Sequence, residues 1–300
     1  MPNAKEIKQR ISSVKDTGKI ANAMYLISSA KMRKAKAELD STAPYFSALR
    51  QEIGRIFGYF DDIESEYFYS KDYKSVNGKP DACLVITADK GLAGSYNQNA
   101  IRAAEKLLSI NPDTKLFVVG EYGRQYFARH NIPIEQSFLY TAQNPTIGRA
   151  REICRTLLDL YENKSTDEIY IVYTDLKKDI SQSAETVRLL PLERKDFTAT
   201  SEYKKSGFEF WPDAKRVLNS IVPAFLTGFI YSALVDSFCS EQNARMSAMS
   251  SANDNAQKII SELSVQYNRL RQADITREIT EVTAGARAQK MRRKSREEIK

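Results

Sequence analysis

Residues 3–60 carry a seven-residue apolar rhythm that one helix cannot bury by itself. The stripe reads Ile7, Ile11, Val14, Gly18, Ala21, Tyr25, Ser28, Met32, Ala35, Leu39, Thr42, Phe46, Leu49, Ile53, Ile56 and Phe60. Its alternating steps of four and three set a seam along a helix that winds on a partner helix. Gly18, Ala21, Ser28 and Ala35 thin the middle of the seam. Small residues there allow a close backbone approach but bury little area. The expected partner is the other end of the same chain, where Ala252, Ala256, Ile259, Leu263, Tyr267 and Leu270 form a stripe. Ile275, Ile279, Val282 and Ala286 form another. The step from Leu270 to Ile275 breaks phase and predicts local unwinding or a change of partner.

Between these ends the period changes. Ala82–Thr87 is a continuous apolar run of the kind a buried strand shows, and Leu116–Gly120 and Ile169–Tyr173 repeat it. Phe138–Tyr140 and Thr186–Leu190 read as further short strands. Ala100–Leu108, Tyr122–Arg129 and Thr146–Tyr161 read as the helices between. Strands alternating with helices predict a mostly parallel sheet covered on both faces. The first long helix is expected over Ala4–Ala43, interrupted by Pro44 and resumed from Tyr45 to Phe60. The last begins near Asp213 and continues well past 70 residues, over ~100 Å at helical rise. The organisation is therefore an N-terminal helix over 1–60, a linker over 61–80, an α/β domain over 81–200, a second linker over 201–212, and a C-terminal helix with a basic tail over 213–300. The fold class is α/β plus all-α: an antiparallel coiled coil with an inserted Rossmann-like domain.

Composition narrows the chemistry. There is one histidine, His130, which argues against a histidine metal site or a Ser-His-Asp triad. The three cysteines, Cys83, Cys154 and Cys239, are far apart and show no CxxC, so reduced thiols and no zinc site are expected. The longest uncharged stretch, Val217–Val235, is interrupted by Asn219, Ser220, Pro223, Thr227, Gly228 and Ser232. A membrane span needs roughly 20 mostly apolar residues, so the stretch is read as a helix start buried on several sides. No apolar signal core opens the chain, and Glu6 and Asp16 argue against a transit peptide. Net charge is +7 and concentrated at the ends: Lys5, Lys8, Arg10, Lys15, Lys19, Lys31, Arg33, Lys34 and Lys36 at one, Arg287, Lys290, Arg292, Arg293, Lys294, Arg296 and Lys300 at the other. A positive pair of helices calls for an acidic or phosphate-bearing partner.

Thr87–Ser95 follows a strand and opens a helix, where a nucleotide-binding loop would sit. Its glycines do not fit. A dinucleotide fingerprint needs GxGxxG and a phosphate loop GxxxxGK[ST]; here Gly91 and Gly94 form only GxxG, and Lys90 precedes them. A structural turn is expected, with Asp89 and Lys90 pairing or capping the helix. No paired carboxylates, nucleophile elbow or metal cluster stands out elsewhere, so no catalytic, cofactor or metal residue is assigned.

Ile275-Thr276-Arg277-Glu278-Ile279-Thr280-Glu281-Val282-Thr283-Ala284-Gly285-Ala286 resembles the C-terminal signature of the γ subunit of F-type ATP synthases. Ala4–Lys8, Lys19–Met24, Ala30–Lys34, Asp89–Gly94, Gln182, Leu189–Leu192, Ser240–Met246 and Tyr267–Gln272 resemble the same family, in order along nearly the whole chain. The resemblance implies a non-catalytic rotor, or central stalk. The coiled coil would pass through a ring of three α and three β subunits, with ε and the membrane-embedded c-ring at the foot. Ion-driven rotation would then cycle the β subunits through ATP synthesis. It implies a peripheral location on the cytoplasmic face of a bacterial inner membrane, no cofactor and no nucleic acid. By the family's pattern, Met24, Lys31, Arg33 and Lys34 face acidic β loops. Arg271, Gln272, Thr276 and Glu278 touch the ring higher up. Leu192–Trp211 lacks the cysteine-bearing insertion of photosynthetic members, and the tail from Gln289 to Lys300 extends past the signature and is expected to be dispensable. Two other readings are kept beside it: a basic coiled-coil adaptor with salt-sensitive nucleic-acid binding, and a nucleotide-dependent enzyme on the α/β domain.

Overall fold

The computed structural model describes residues 4–60, 63–69, 79–138, 142–175, 183–197 and 210–297. Its elements run α1 (Ala4–Tyr59), β1 (Ala82–Ile86), α2 (Tyr96–Ile110), β2 (Lys115–Val119), α3 (Glu121–Arg129), β3 (Gln136–Phe138), α4 (Ile147–Glu162), β4 (Ile169–Thr174), β5 (Ala184–Leu190), a 3-10 turn at Arg194–Phe197, and α5 (Ala214–Glu297). The expected strand at Phe138–Tyr140 lies earlier, as β3, and Leu139 and Tyr140 fall outside the described residues. So do Gln182 and most of both linkers. The chain divides into two compact units, Leu26–Ala248, and Met1–Tyr25 with Met249–Lys300.

The first unit holds a five-stranded sheet in the order β3-β2-β1-β4-β5. β1 to β4 pair in parallel and β5 closes the edge antiparallel to β4. Neighbouring residues of a strand point to opposite faces, and β1 shows both. Cys83 and Val85 pack with Ile101, Ala104, Leu116, Val118 and Phe127 under α2 and α3. Leu84 and Ile86 pack with Ile153 and Leu157 of α4, Ile53 and Ile56 of α1, and Leu218, Val222 and Leu226 of α5. β1 is buried along its whole length, which is why it reads as a continuous apolar run. The uncharged start of α5 is long and apolar enough to cross a membrane, but it serves this core instead: Leu218, Val222 and Ile230 are fully buried. Asp213 starts α5 by accepting from the Arg216 amide at 2.8 Å.

Within this unit α1 and α5 run antiparallel. Phe46 lies against Gly228 and Tyr231, and the Cys239 thiol points at the Met32 carbonyl, 3.9 Å away. α1 passes through Pro44 without a break, contrary to the interruption that the sequence predicts. Packing is present on both sides of the proline, with Ala35 and Leu39 before it and Phe46, Ile53 and Ile56 after it in one core. That burial outweighs a lost hydrogen bond and a ring clash of ~3 kcal/mol. Ser41 and Thr42 also turn their hydroxyls back onto the Glu38 carbonyl, at 2.7 and 3.3 Å.

The second unit is a two-helix segment. Gly18 of α1 lies against Asn253 and Ala256 of α5. Ile7 and Ala21 are buried on one helix, and Ala256 and Leu263 on the other. The α1 seam falls where the heptads place it, with two exceptions: Met24 is half-buried and Tyr25 is exposed, and Phe60, just past the end of the helix, is exposed. On α5, Asn253 and Ile260 turn inward, and the expected Ala252 and Ile259 turn out. The phase break after Leu270 leaves the helix intact. From Arg271 to Gln289 every residue of α5 is exposed, and its backbone stays helical to Glu297.

Candidate functional site

The loop Thr87–Ser95 leaves the C-terminal end of β1 and enters α2. Strand order reverses beside β1, and the crevice at that switch point is where open α/β sheets bind ligands. Here the crevice is filled by α5. The Thr174 amide, at the end of β4, donates to Ser237 Oγ at 3.2 Å, and Ser240 Oγ donates back to the Thr174 carbonyl at 3.3 Å. Ala244 packs with Ala88, Ala93 and Tyr96. Arg245 Nη2 donates to the Gly91 carbonyl at 3.0 Å and pairs with Glu241 at 2.6 Å. The Glu241 and Arg245 side chains are only 8% and 10% exposed. Burial pushes the Glu241 carboxyl above its usual range, against the pull of Arg245.

The loop's own polar groups serve the fold. Asn97 Oδ1 accepts from the Ala88 amide at 2.9 Å. Asp89 Oδ1 accepts from the Glu121 amide at 3.0 Å, so Asp89 caps α3 and not the helix that follows it in sequence. Ser95, at the start of α2, makes no side-chain capping bond. A helix carrying a buried ion pair thus lies in the crevice where open α/β sheets bind ligands. The sequence shows Ser240–Met246 as a motif but gives no sign of where it docks, because a loop and a helix 154 residues apart meet only in the fold.

The residues that the family resemblance singles out fall in both units. In the sheet-bearing unit, Lys31, Arg33 and Lys34 are exposed on α1, and Lys34 approaches Glu38 at 3.9 Å. In the two-helix unit, Met24 is half-buried, whereas Arg271, Gln272, Thr276 and Glu278 are exposed. Thr276 Oγ1 donates to the Gln272 carbonyl at 2.8 Å, which ties those two into one turn. Arg277 pairs with Glu281 at 3.3 Å beside them. Sequence reasoning missed an apolar set on the outside of α1: Ile20, Leu26 and Ile27 are each more than half exposed. Their spacing off the heptad seam was the available signal. On α5, Ile275, Ile279 and Val282 recur at helical spacing and stand exposed. They form an apolar stripe on a stretch that α1 does not cover.

The seam of the two-helix unit is not tight at its glycine. A cleft of about 440 Å³ opens beside Gly18, lined by Lys15, Lys19, Asn22, Asn253, Gln257 and Ile260 among others. A Cβ on Gly18 would stand 3.5 Å from Asn253 Oδ1, an ordinary contact. All three cysteines are free and buried. Among the described residues no group of histidine, cysteine and carboxylate side chains could hold a metal ion.

Comparison with known proteins agrees across sequence and structure. The family model described as ATP synthase matches residues 3–289. The ATP synthase gamma chain of Ruminiclostridium cellulolyticum is 40% identical over 291 residues, 95% of this chain and 98% of the relative. Among solved structures, a chain of the Tetrahymena thermophila mitochondrial ATP synthase central stalk and c-ring aligns with a TM-score of 0.58 at 25% identity, over 78% of this chain and 99% of that one. A chain of the Euglena gracilis mitochondrial ATP synthase aligns with a TM-score of 0.65 at 15% identity, over 95% and 94%, a likeness of fold.

Proposed function

Because this chain belongs to the ATP synthase family, as a gamma chain, we propose that it is a rotor that carries no chemistry of its own. Its partners in this reading are the ring of three α and three β subunits, the ε subunit and the c-ring. It joins the membrane through that complex, on the cytoplasmic face of a bacterial inner membrane. Ion flow turns the c-ring, the chain turns with it, and its asymmetric surface drives each β subunit through successive conformations while ADP and phosphate react in β.

The observation that carries the reading is the state of α5 beyond Leu270. A helix with exposed Ile275, Ile279 and Val282 spaced along one side, and polar groups between, is built to lie against other chains. Isolated helices gain most of their stability from such packing. Arg271, Gln272, Thr276 and Glu278 supply polar contacts on the same stretch, Lys31, Arg33 and Lys34 supply theirs from α1, and the half-buried Met24 an apolar one. The non-catalytic part of the reading is supported by the crevice that α5 fills, since a nucleotide could enter only by displacing a buried ion pair. Reconstitution of α and β subunits, and of the complete synthase with its c-ring in membrane vesicles, with and without the chain is the test. The reading expects no ATPase activity from the chain alone, and expects cooperative, pump-coupled turnover only when the chain is present. Hydrolysis by the purified chain that is lost on changing Asp89 or Lys90 would instead establish an enzyme.

A further inference from the structure

The sheet-bearing unit is fastened to α5 in two physically different ways. One is the apolar face formed by Leu218, Val222, Leu226 and Ile230. Apolar burial is non-directional: it resists separation, and only the fit of side chains opposes a slide or turn. The other is the polar segment in the switch-point crevice. There the Thr174 amide and carbonyl are engaged by Ser237 and Ser240, and Arg245, held by Glu241, is bonded to the Gly91 carbonyl. Tyr96, almost fully buried, packs against Ala244 in the same crevice. These bonds are directional and dry. None can be exchanged for water without opening the crevice, and each left unmade costs a buried group its partner.

We propose that Ser237–Arg245 is a torque key, a segment of α5 whose polar bonds fix the angular position of the α/β body on the helix, with Arg245 as its principal positioning residue. This rests on the rotor reading above, because only a chain that transmits torque needs angular registry in addition to stability. Buried ion pairs add little to stability against a well-packed apolar pair, and their best attested use is to hold one arrangement against near alternatives. The placement fits. The key joins the ends of both central strands, through Gly91 after β1 and Thr174 in β4, so a turning force on α5 reaches the middle of the sheet. The two chemistries divide the work: the apolar face holds the body on, and the key stops it from slipping.

The test uses the complete synthase, c-ring included, assembled in sealed membrane vesicles with wild-type or variant chain. One variant replaces the ion pair by apolar residues of similar volume, Glu241→Leu with Arg245→Met. A second, Ser237→Ala with Ser240→Ala, removes the two hydroxyls. Three quantities are measured: thermal melting, protons pumped per ATP hydrolysed, and exchange of the Thr174 amide. The key predicts melting close to wild type, or higher for the apolar pair, with a lower pumping ratio. It also predicts faster Thr174 exchange, roughly tenfold for each buried bond removed. A stable variant that pumps at the wild-type ratio overturns the proposal, as does a ratio that falls only in step with melting. If the apolar pair fails to fold, the serine pair decides by the same criteria. Failure of the wild-type chain itself to support pumping would count against the rotor reading, and Thr174 exchange in the isolated variants would still decide whether the segment fixes the body.

Discussion

At the scale of single residues, burial sets the chemistry of the thiols. The Cys83 thiol is pushed up to about 12 by desolvation, and those of Cys154 and Cys239 to about 11, also by desolvation first. The thiolate is the reactive form, so near neutral pH the native chain should react slowly with an aromatic disulfide reagent. All three thiols should react promptly in denaturant. Rapid loss of one thiol from the folded chain, or reversible control of the assembled enzyme by a dithiol that Cys→Ser changes remove, would mean a switch is present. Glu121 shows the opposite shift. Its carboxylate accepts from Arg124 Nε at 2.7 Å and Gln125 Nε2 at 2.8 Å, and these bonds, Arg124 first, hold it down at about 2. A lowered folded value contributes stability above the unfolded value, and the contribution is lost as pH falls from there through about 2. A nuclear magnetic resonance titration should therefore place the Glu121 midpoint near 2, and Arg124→Gln should raise it. A midpoint in the ordinary glutamate range would show that the pair is not formed in solution.

At the scale of elements, the contact of α1 with α5 is decided by one missing methyl group. A Cβ on Gly228 would fall 2.0 Å from a ring carbon of Phe46. In an exposed helix, replacing glycine by alanine gains about 1 kcal/mol. Here the ring and its backbone would have to move, and overpacking costs typically 1–3 kcal/mol. Gly228→Ala should therefore lower stability by up to ~2 kcal/mol in denaturant melts, net of the helical gain. Phe46→Leu in that background should recover most of the loss. A more stable Gly228→Ala chain would mean that the Phe46 ring moves aside at little cost. Gly18 behaves differently, because its added methyl would make only ordinary contacts with Asn253 and Ala256 beside the Lys15 and Lys19 cleft. The same residue type marks a tight crossing in one unit and a loose seam in the other.

For the whole molecule, charge and fold separate cleanly. Arg33 and Lys34 are exposed on α1, and the Lys34–Glu38 approach of 3.9 Å is too exposed to stabilise much. Arg33→Glu with Lys34→Glu should leave melting of the chain within ~0.5 kcal/mol per site. In the assembled enzyme the same change should reduce proton pumping, because the reversed side chains would then repel the acidic β loops that the family resemblance places there. Parallel melting and pumping measurements check this. Unchanged pumping would remove these residues from the interface, and a melted chain would show a structural role instead.

How much of this was legible in the sequence follows from the range of the forces involved. Local rules reached far. The heptad seam of α1 gave the buried face of that helix nearly residue by residue, because 3.6-residue geometry fixes a face whatever covers it. The apolar runs gave β1, β2 and β4, and Asp213 and Thr146 marked the starts of α5 and α4. The family resemblance carried the function. What the sequence could not give was set by contacts between distant residues. Pro44 stays helical because packing on both sides outweighs a local penalty. Met24 replaces Tyr25 in the seam, and Ile260 replaces Ile259, because the facing helix selects between neighbours of similar propensity. Asp89 caps α3 across a strand, and Arg245 seals a crevice made by a loop 154 residues earlier in the chain. Propensity and periodicity act over a turn or two of chain, whereas close packing and buried hydrogen bonds depend on which surfaces the fold brings together.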